Sequence, residues 1–209
     1  MTKGMINLSG LKTHGITTET IKNMLLNAGV LYKNLKYDSE TEAWNGTPFG
    51  ATSGGIKFNY EAKWLDIEVD GATVLVMGIS KQKVGEAAYF EGSMTEITPG
   101  LLADAMHLVA DNTKTVEGYT VYKTVDNLTE DDYPENISYV GTLSGGKQII
   151  IILPHAICTE AFEFEAKNAE QSTFKVKFEC TADFNNNTLN KLDLELYYPD
   201  STETQTTGE

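Results

Sequence analysis

The chain has 209 residues, 41% hydrophobic and 22% charged, which is the composition of an ordinary globular domain with room for a sizeable core. Acidic residues outnumber basic ones by 30 to 16, and the resulting net charge of −14 repels nucleic acid and anionic membranes. The longest apolar run, Ile149 to Leu153, is too short to span a bilayer, and Met1 to Asn7 lacks an apolar core of signal-peptide length, so the expected place of synthesis and residence is a cytoplasm.

Residues 1–15 are polar and aperiodic and read as an N-terminal arm. Thr17 or Thr18 then caps a first helix, with Ile21, Met24, Leu25 and Ala28 at helical spacing and Gly29 at its end. Val30 to Tyr37 reads as a strand. Residues 38–55 have little periodicity and read as a long loop carrying Asp38, Glu40, Glu42, Trp44, Pro48 and Phe49. A loop of that length inside a domain is often functional, and its two aromatic rings need cover from their own core or from a neighbouring subunit.

Ile56 to Val69 alternates as one long strand. Ile56, Phe58, Tyr60, Ala62 and Trp64 share a parity that switches to Leu65, Ile67 and Val69, which implies a bulge near Trp64. Asp70-Gly71 reads as a tight turn, Thr73 to Ile79 as the hairpin partner, and Ala87 to Ile97 as a further strand. Thr98-Pro99 opens a second helix with Leu101, Leu102, Ala105, Met106, Leu108 and Val109 on its apolar face, ending near Asp111-Asn112.

A short strand (Tyr119 to Thr124) and an acidic turn (Glu130, Asp131, Asp132) precede a strand-rich half. Ile137 to Leu143 and Gln148 to Leu153 flank a turn at Ser144-Gly145-Gly146. Cys158 to Ala166 and Phe174 to Phe184 alternate as a hairpin across 167–172, with Glu163 and Glu165 facing Lys175 and Lys177. Leu192 to Tyr198 makes a last strand, stopped by Pro199. The sum is a mainly β fold, an antiparallel β-sandwich or partly closed β-barrel with one or two flanking α-helices. Residues 16–199 form a single domain, and 200–209 a disordered tail.

Motifs for chemistry are missing. His14, His107 and His155 are far apart and read as structural or surface residues. The sequence has no HExxH, no GxSxG and no phosphate-binding glycine loop ahead of a lysine. Gly54-Gly55 and Gly145-Gly146 read as turn glycines, or as points where another backbone comes close. Glu130, Asp131 and Asp132 read as a solvated turn rather than a cation site. Cys158 and Cys180 read as buried free thiols. No metal, cofactor or catalytic residue is expected, which favours a structural or binding role over an enzyme.

One series of blocks resembles a known family. Gly50-Ala51-Thr52-Ser53-Gly54-Gly55-Ile56-Lys57-Phe58, running on to Asp66-Ile67-Glu68-Val69-Asp70-Gly71-Ala72, is similar to the "GAT-x-GG-x-x-F" and "I-E-V-D-G" stretches of major tail proteins of long-tailed bacteriophages. Val76-Met77-Gly78-Ile79, Glu96-Ile97-Thr98-Pro99, Ile151-Ile152-Leu153-Pro154-His155-Ala156 and Phe174 to Cys180 follow in the family's order, with His155 in place of a common Asn and Lys175 in place of a common Pro. The resemblance covers roughly residues 50–184.

The resemblance implies a tail-tube subunit. Six copies would form a ring, with their inner sheets joined into one β-barrel around a lumen, and rings would stack through an N-terminal arm and a long loop. Here those are residues 1–15 and 38–55, with Trp44, Phe49, Gly54 and Gly55 as candidates for self-assembly. The implied partners are the chain itself, a tail tape measure, a tail terminator and baseplate or initiator proteins. DNA passes through unbound, no membrane is involved, and the location is the virion tail, assembled in the host bacterial cytoplasm. A carboxylate-lined lumen would repel phosphates; Glu61, Asp66, Glu68, Glu86 and Glu91 are the candidates for it. Two alternatives stand beside this reading. One is the tube of a contractile phage-tail-like bacteriocin or secretion system. The other is a ligand- or carbohydrate-binding β-sandwich with Trp44 and Trp64 as stacking platforms, although the strand pattern around Trp64 places it in the core.

Overall fold

A computed structural model describes residues 15–17, 19–71, 73–166, 168–183, 185 and 190–200. Most of the expected arm (1–15), His14, Thr18 and the tail beyond residue 200 lie outside the described residues. The strands are β1 (Val30–Asp38), β2 (Ala43–Pro48), β3 (Thr52–Asp66), β4 (Lys81–Met94), β5 (Leu108–Ala110), β6 (Tyr122–Thr124), β7 (Asn136–Thr142), β8 (Gln148–Pro154), β9 (Ile157–Cys158), β10 (Phe174–Glu179) and β11 (Glu195–Tyr197). Helix α1 spans Pro99–Met106.

Two antiparallel sheets face each other. One has the order β11-β8-β7-β1-β2 and the other β3-β4-β10-β9, while β5 and β6 pair separately. Alternation along the strands sends Leu31, Ile137, Tyr139, Ile151 and Leu153 from the first sheet against Phe90, Met94, Phe174, Val176 and Phe178 from the second, and these residues form one continuous buried core. Leu101 and Ala105 of α1 close one end of it. A smaller cluster of Leu35, Ile150 and Ile152, with Trp44 and Tyr32 against it, lies on the far face of the first sheet. Leu31 and Leu35 reach opposite faces because Asn34 adopts φ 54° and β1 bulges between Lys33 and Lys36.

Helix α1 begins where the cap-plus-proline signal places it. Thr98 Oγ1 accepts the Leu101 N–H at 3.3 Å, and Pro99 takes the first turn. It ends at Met106, short of the expected Asp111, because His107 turns left-handed (φ 53°) and its N–H bonds to the Ala103 carbonyl. Leu108 and Val109 therefore belong to β5.

The expected first helix does not form. Residues 19–23 are turns, and their backbone is engaged elsewhere: Ser144 N–H bonds to the Met24 carbonyl and Gly145 N–H to the Lys22 carbonyl, both at 2.9 Å. A helix would need those carbonyls for itself. Gly145 earns its place here, since an added Cβ would stand 3.1 Å from the Lys22 carbonyl oxygen.

The expected loop 38–55 is a correction too. Asp38 accepts hydrogen bonds from Glu40 N–H (2.8 Å) and Thr41 Oγ1 (2.7 Å), reversing the chain at once, and β2 returns beside β1. Likewise Thr73 to Ile79 is turns and irregular chain, and β3 takes β4 as its partner. Residues 161–166 carry no strand. Of the expected partner strand, Ile157 and Cys158 ladder with β10 and the Thr159 N–H adds a bond to the Lys177 carbonyl, while the Lys177 ammonium pairs with Glu179.

Candidate self-assembly surface

The dominant surface feature is the β3–β4 hairpin. β3 has 15 residues and stands at the edge of its sheet, paired among the described residues with β4 alone. β10 pairs with β4 from Tyr89 to Met94, and the Cys180 N–H adds a bond to the Ala88 carbonyl at 2.9 Å, so Glu61–Asp66 and Lys81–Ala87 continue as a two-stranded ribbon beyond the sheet. A long edge strand presents a row of unpaired backbone N–H and C=O groups to any other strand.

Two irregularities shape this ribbon. The first lies between Ser53 and Ile56, where Gly54 (φ 79°) and Gly55 (φ 83°) are both left-handed and have no partner across the ladder. Only glycine holds two such positions in succession without strain. Gly92 lies opposite, where a Cβ would meet Ile56 Cδ1 at 2.6 Å. The second lies between Lys63 and Trp64, at the place where the parity switch predicts a bulge; the residue left without a partner is Val84 of β4. It brings Lys83 to the face of Glu86 and Tyr60, where the ammonium lies 2.7 Å from the Glu86 carboxylate and donates to the Tyr60 hydroxyl at 3.0 Å.

The ribbon is apolar where it is bare. Phe58 and Tyr60 at its base and Trp64, Leu65 and Val84 along it are exposed, Trp64 to 57%. The tip beyond it carries Val69, Val74, Leu75 and Met77, the last 97% exposed. Ser80 closes the tip: its hydroxyl accepts the Val76 N–H at 2.8 Å, and its carbonyl the Ile67 N–H at 2.9 Å. Contiguous exposed apolar surface of this kind marks an interaction site. Trp64 is thus a surface residue, against the expectation that it is core, because the opposite sheet does not extend to cover it.

The sequence candidates separate. Phe49 is 2% exposed and stacks on Phe178, with ring centroids 5.3 Å apart and planes at 7°, so its own core covers it. Trp44 is half-buried between Tyr37 (5.5 Å) and Tyr197 (5.0 Å). Gly54 and Gly55 do lie on the edge strand. The five acidic candidates do not share one surface. Glu61 and Glu91 point outward from the second sheet, opposite Ala87 and Lys57. Glu86 is on the other face with its side chain 7% exposed; burial raises its carboxyl, but the Lys83 and Tyr60 hydrogen bonds outweigh that and leave it lowered. Asp66 pairs with Lys81 at 2.6 Å, and Glu68 lies exposed past the end of β3.

Sequence reading missed two features. The sequence pattern puts the apolar tip in a paired strand, although the run Val74-Leu75-Val76-Met77 holds no residue that would be at ease in water. The other is a pair of distant residues, Lys33 on β1 and Asp104 on α1, joined at 2.7 Å beside a cavity of about 170 Å³ that His107, Asp131, Asp132 and Cys158 also line. Asp104 is 11% exposed, its Oδ2 has no hydrogen-bond partner among the described residues, and burial raises its pKa against the pull of Lys33. Among the described residues no group of three or more His, Cys, Asp or Glu side chains could hold a metal, and no helix is long and apolar enough to cross a membrane.

No family model matches the chain, and no curated protein matches it either. Solved structures do. One is the tail of an empty gene transfer agent particle refined with C6 symmetry, at 8% identity over 75% of this chain and 92% of that one, TM-score 0.40. Another is the virion of a native gene transfer agent particle, at 10% identity over 84% and 100%, TM-score 0.41. A third is the six-fold symmetrised baseplate of the anti-feeding prophage, at 9% identity over 83% and 95%, TM-score 0.41. The superpositions are loose, and no residue of this chain takes a role from them.

Proposed function

We propose that the chain is a tail-tube subunit of a phage-like particle, which joins into hexameric rings that stack as a conduit for DNA. The observation that carries this reading is β3, a 15-residue edge strand with no second strand laid against it among the described residues and a bare apolar ribbon at its end. A monomer left so would be an aggregation hazard. Lateral pairing of β3 with the far side of the same sheet in a neighbour, near the short β9, removes the hazard. Such a head-to-tail contact closes into a ring if its rotation divides a full turn.

Packing supports one direction for the lumen in such a ring. The inner face of the second sheet is filled by Phe90, Val176 and Phe178 against the first sheet. The bulk of the subunit therefore stands behind that face, and joined sheets would turn their outward face, with Lys57, Glu61 and Glu91, to the lumen. The tip at residues 67–80 takes over the stacking role expected of 38–55, since its apolar side chains project from the subunit.

Negative-stain electron microscopy across a concentration series, with mass measurement alongside, tests the reading. Rings or tubes with a central lumen support it. Trp64→Lys places a charge on the ribbon without touching the core, so it should leave the unfolding midpoint nearly unchanged, within about 0.5 kcal/mol, and suppress rings. Assembly by Trp64→Lys as complete as that of the natural chain would overturn the role given to the ribbon.

A further inference from the structure

The outward face of the second sheet does not share the acidity of the chain. Alternation and register put Lys57 and Lys63 of β3, Glu61 beside them, Glu91 of β4, and Lys175, Lys177 and Glu179 of β10 on this one surface. Four lysines meet three carboxylates there, in a chain whose net charge is −14. The two basic groups at the centre are each paired with a carboxylate. Lys57 Nζ lies 3.0 Å from Glu91 and 5.6 Å from the centroid of the Tyr89 ring. Lys177 Nζ is bound by Glu179 and lies 4.5 Å from the same centroid. Tyr89 thus serves two ammonium groups, each held by its own glutamate. The hydrogen bond to Glu91 raises the pKa of Lys57, and that to Glu179 raises Lys177, so both stay cationic across the neutral range.

We propose that this face is a masked track for duplex DNA, on which Glu91 and Glu179 act as built-in counter-ions that keep Lys57 and Lys177 from engaging phosphates. The assignment of the face to passing DNA rests on the tube reading above; the masking itself is a property of the isolated chain. Its physical basis is counterion release. A lysine gains affinity for duplex DNA by displacing a condensed cation, and a lysine already neutralised by a neighbouring carboxylate has little to gain. The acidic remainder of the chain does not abolish the effect, because beyond about 8–10 Å its field is screened at physiological salt. A face of this kind stays near neutral without a uniformly acidic lining, so DNA is neither held nor strongly repelled.

The test is fluorescence anisotropy of a labelled DNA duplex titrated with the chain at several salt concentrations. Three proteins are compared: the natural chain, E91Q/E179Q, and K57Q/E91Q/K177Q/E179Q. Glutamine keeps the size of the side chain and removes its charge, and exposed ion pairs of this type contribute little to folding. The natural chain should bind negligibly at about 0.1 M salt. The double variant should bind at least about tenfold more tightly, with a log–log salt slope steeper by about two phosphate contacts, near 1.8. The quadruple variant should fall back to the natural level. Equal binding by the natural chain and the double variant overturns the proposal, as does a quadruple variant that binds like the double. Should the double variant not fold, E91Q alone carries the test, with half the increment in slope. Absence of rings in the microscope would remove the tube reading and leave this binding result standing.

Discussion

Phe49 separates the sequence reading from the tertiary one most sharply. As a loop residue awaiting a neighbouring subunit, its loss would spare the monomer and abolish assembly. As the structure has it, Phe49 is 2% exposed, stacks on Phe178 at 5.3 Å, and sits where its N–H bonds to the Leu31 carbonyl at 2.9 Å and its carbonyl accepts Thr98 Oγ1 at 3.1 Å. A phenylalanine buries at least about 150 Å² on folding; at about 25 cal/mol per Å² that is close to 4 kcal/mol. Truncation to alanine adds a cavity term, and observed Phe→Ala costs run to about 3–5 kcal/mol. For a domain of this size that is a large share of a total stability of about 5–15 kcal/mol. Urea denaturation of Phe49→Ala followed by tryptophan fluorescence and circular dichroism should therefore show a midpoint shift equivalent to about 3–5 kcal/mol. Phe49→Leu, which keeps most of the volume, should lose less than half of that. A Phe49→Ala protein within about 1 kcal/mol of the natural chain would refute the core assignment.

Three further predictions follow from single positions. Gly55→Ala places a side chain at φ 83° on the edge strand, which should cost about 1–2 kcal/mol from backbone strain in the urea midpoint, since the space itself is open beyond Ala28 at 3.8 Å. Cys180 is pushed up to about 12 by burial first and by Asp193 and Glu86 second, with its thiol directed to the Pro154 carbonyl at 3.2 Å, so it stays protonated at pH 8 and should react with a disulfide reagent far more slowly in the native chain than in urea. Because that pKa is raised, its contribution to stability is complete below the unfolded value and is lost as pH climbs towards 12. Asp104 is raised from 3.8 by burial, so the folded chain holds its proton more tightly and stability falls as pH rises from 3.8 through the raised value. Asp104→Asn should remove that fall from a pH series of urea midpoints; an unchanged profile would show that the carboxyl is not buried as described.

The two outcomes at the cap and at the missing helix show where sequence is legible. Thr98-Pro99 is a local signal: the cap hydroxyl and the proline act on the next three residues, so the start of α1 could be read directly. The apolar spacing of Ile21, Met24 and Leu25 is equally regular, yet these residues are exposed and no helix forms, because residues 22–24 bond to the turn at Ser144-Gly145, some 120 positions away. No local pattern can report such a contact. The same holds for β2, which became visible only when Asp38 reversed the chain against β1, and for the tip at 67–80, where a turn signal at Asp70-Gly71 suggested a tight hairpin but the partner strand begins at Lys81.

By itself the sequence determined the class of fold: strand alternation with one apolar face demands antiparallel sheets packed face to face, and the parity switch near Trp64 located a bulge. It also located the glycine pair at 54–55. Tertiary structure alone decided which strand is an edge, which aromatic rings are covered, and which charges share a face. In the sequence Phe49 reads as a loop residue and Trp64 as core, and the structure reverses the two because one lies where both sheets overlap and the other where only a ribbon of two strands continues. Glu61, Glu86 and Glu91 likewise divide between two faces through alternation across the β3–β4 register, and only the register across β3, β4 and β10 brings Lys57 and Lys177 to the same tyrosine. Alternation is a local property of each strand, whereas edges, cover and charge neighbourhoods belong to the order in which strands are laid side by side, and that order is settled by contacts far apart in the chain.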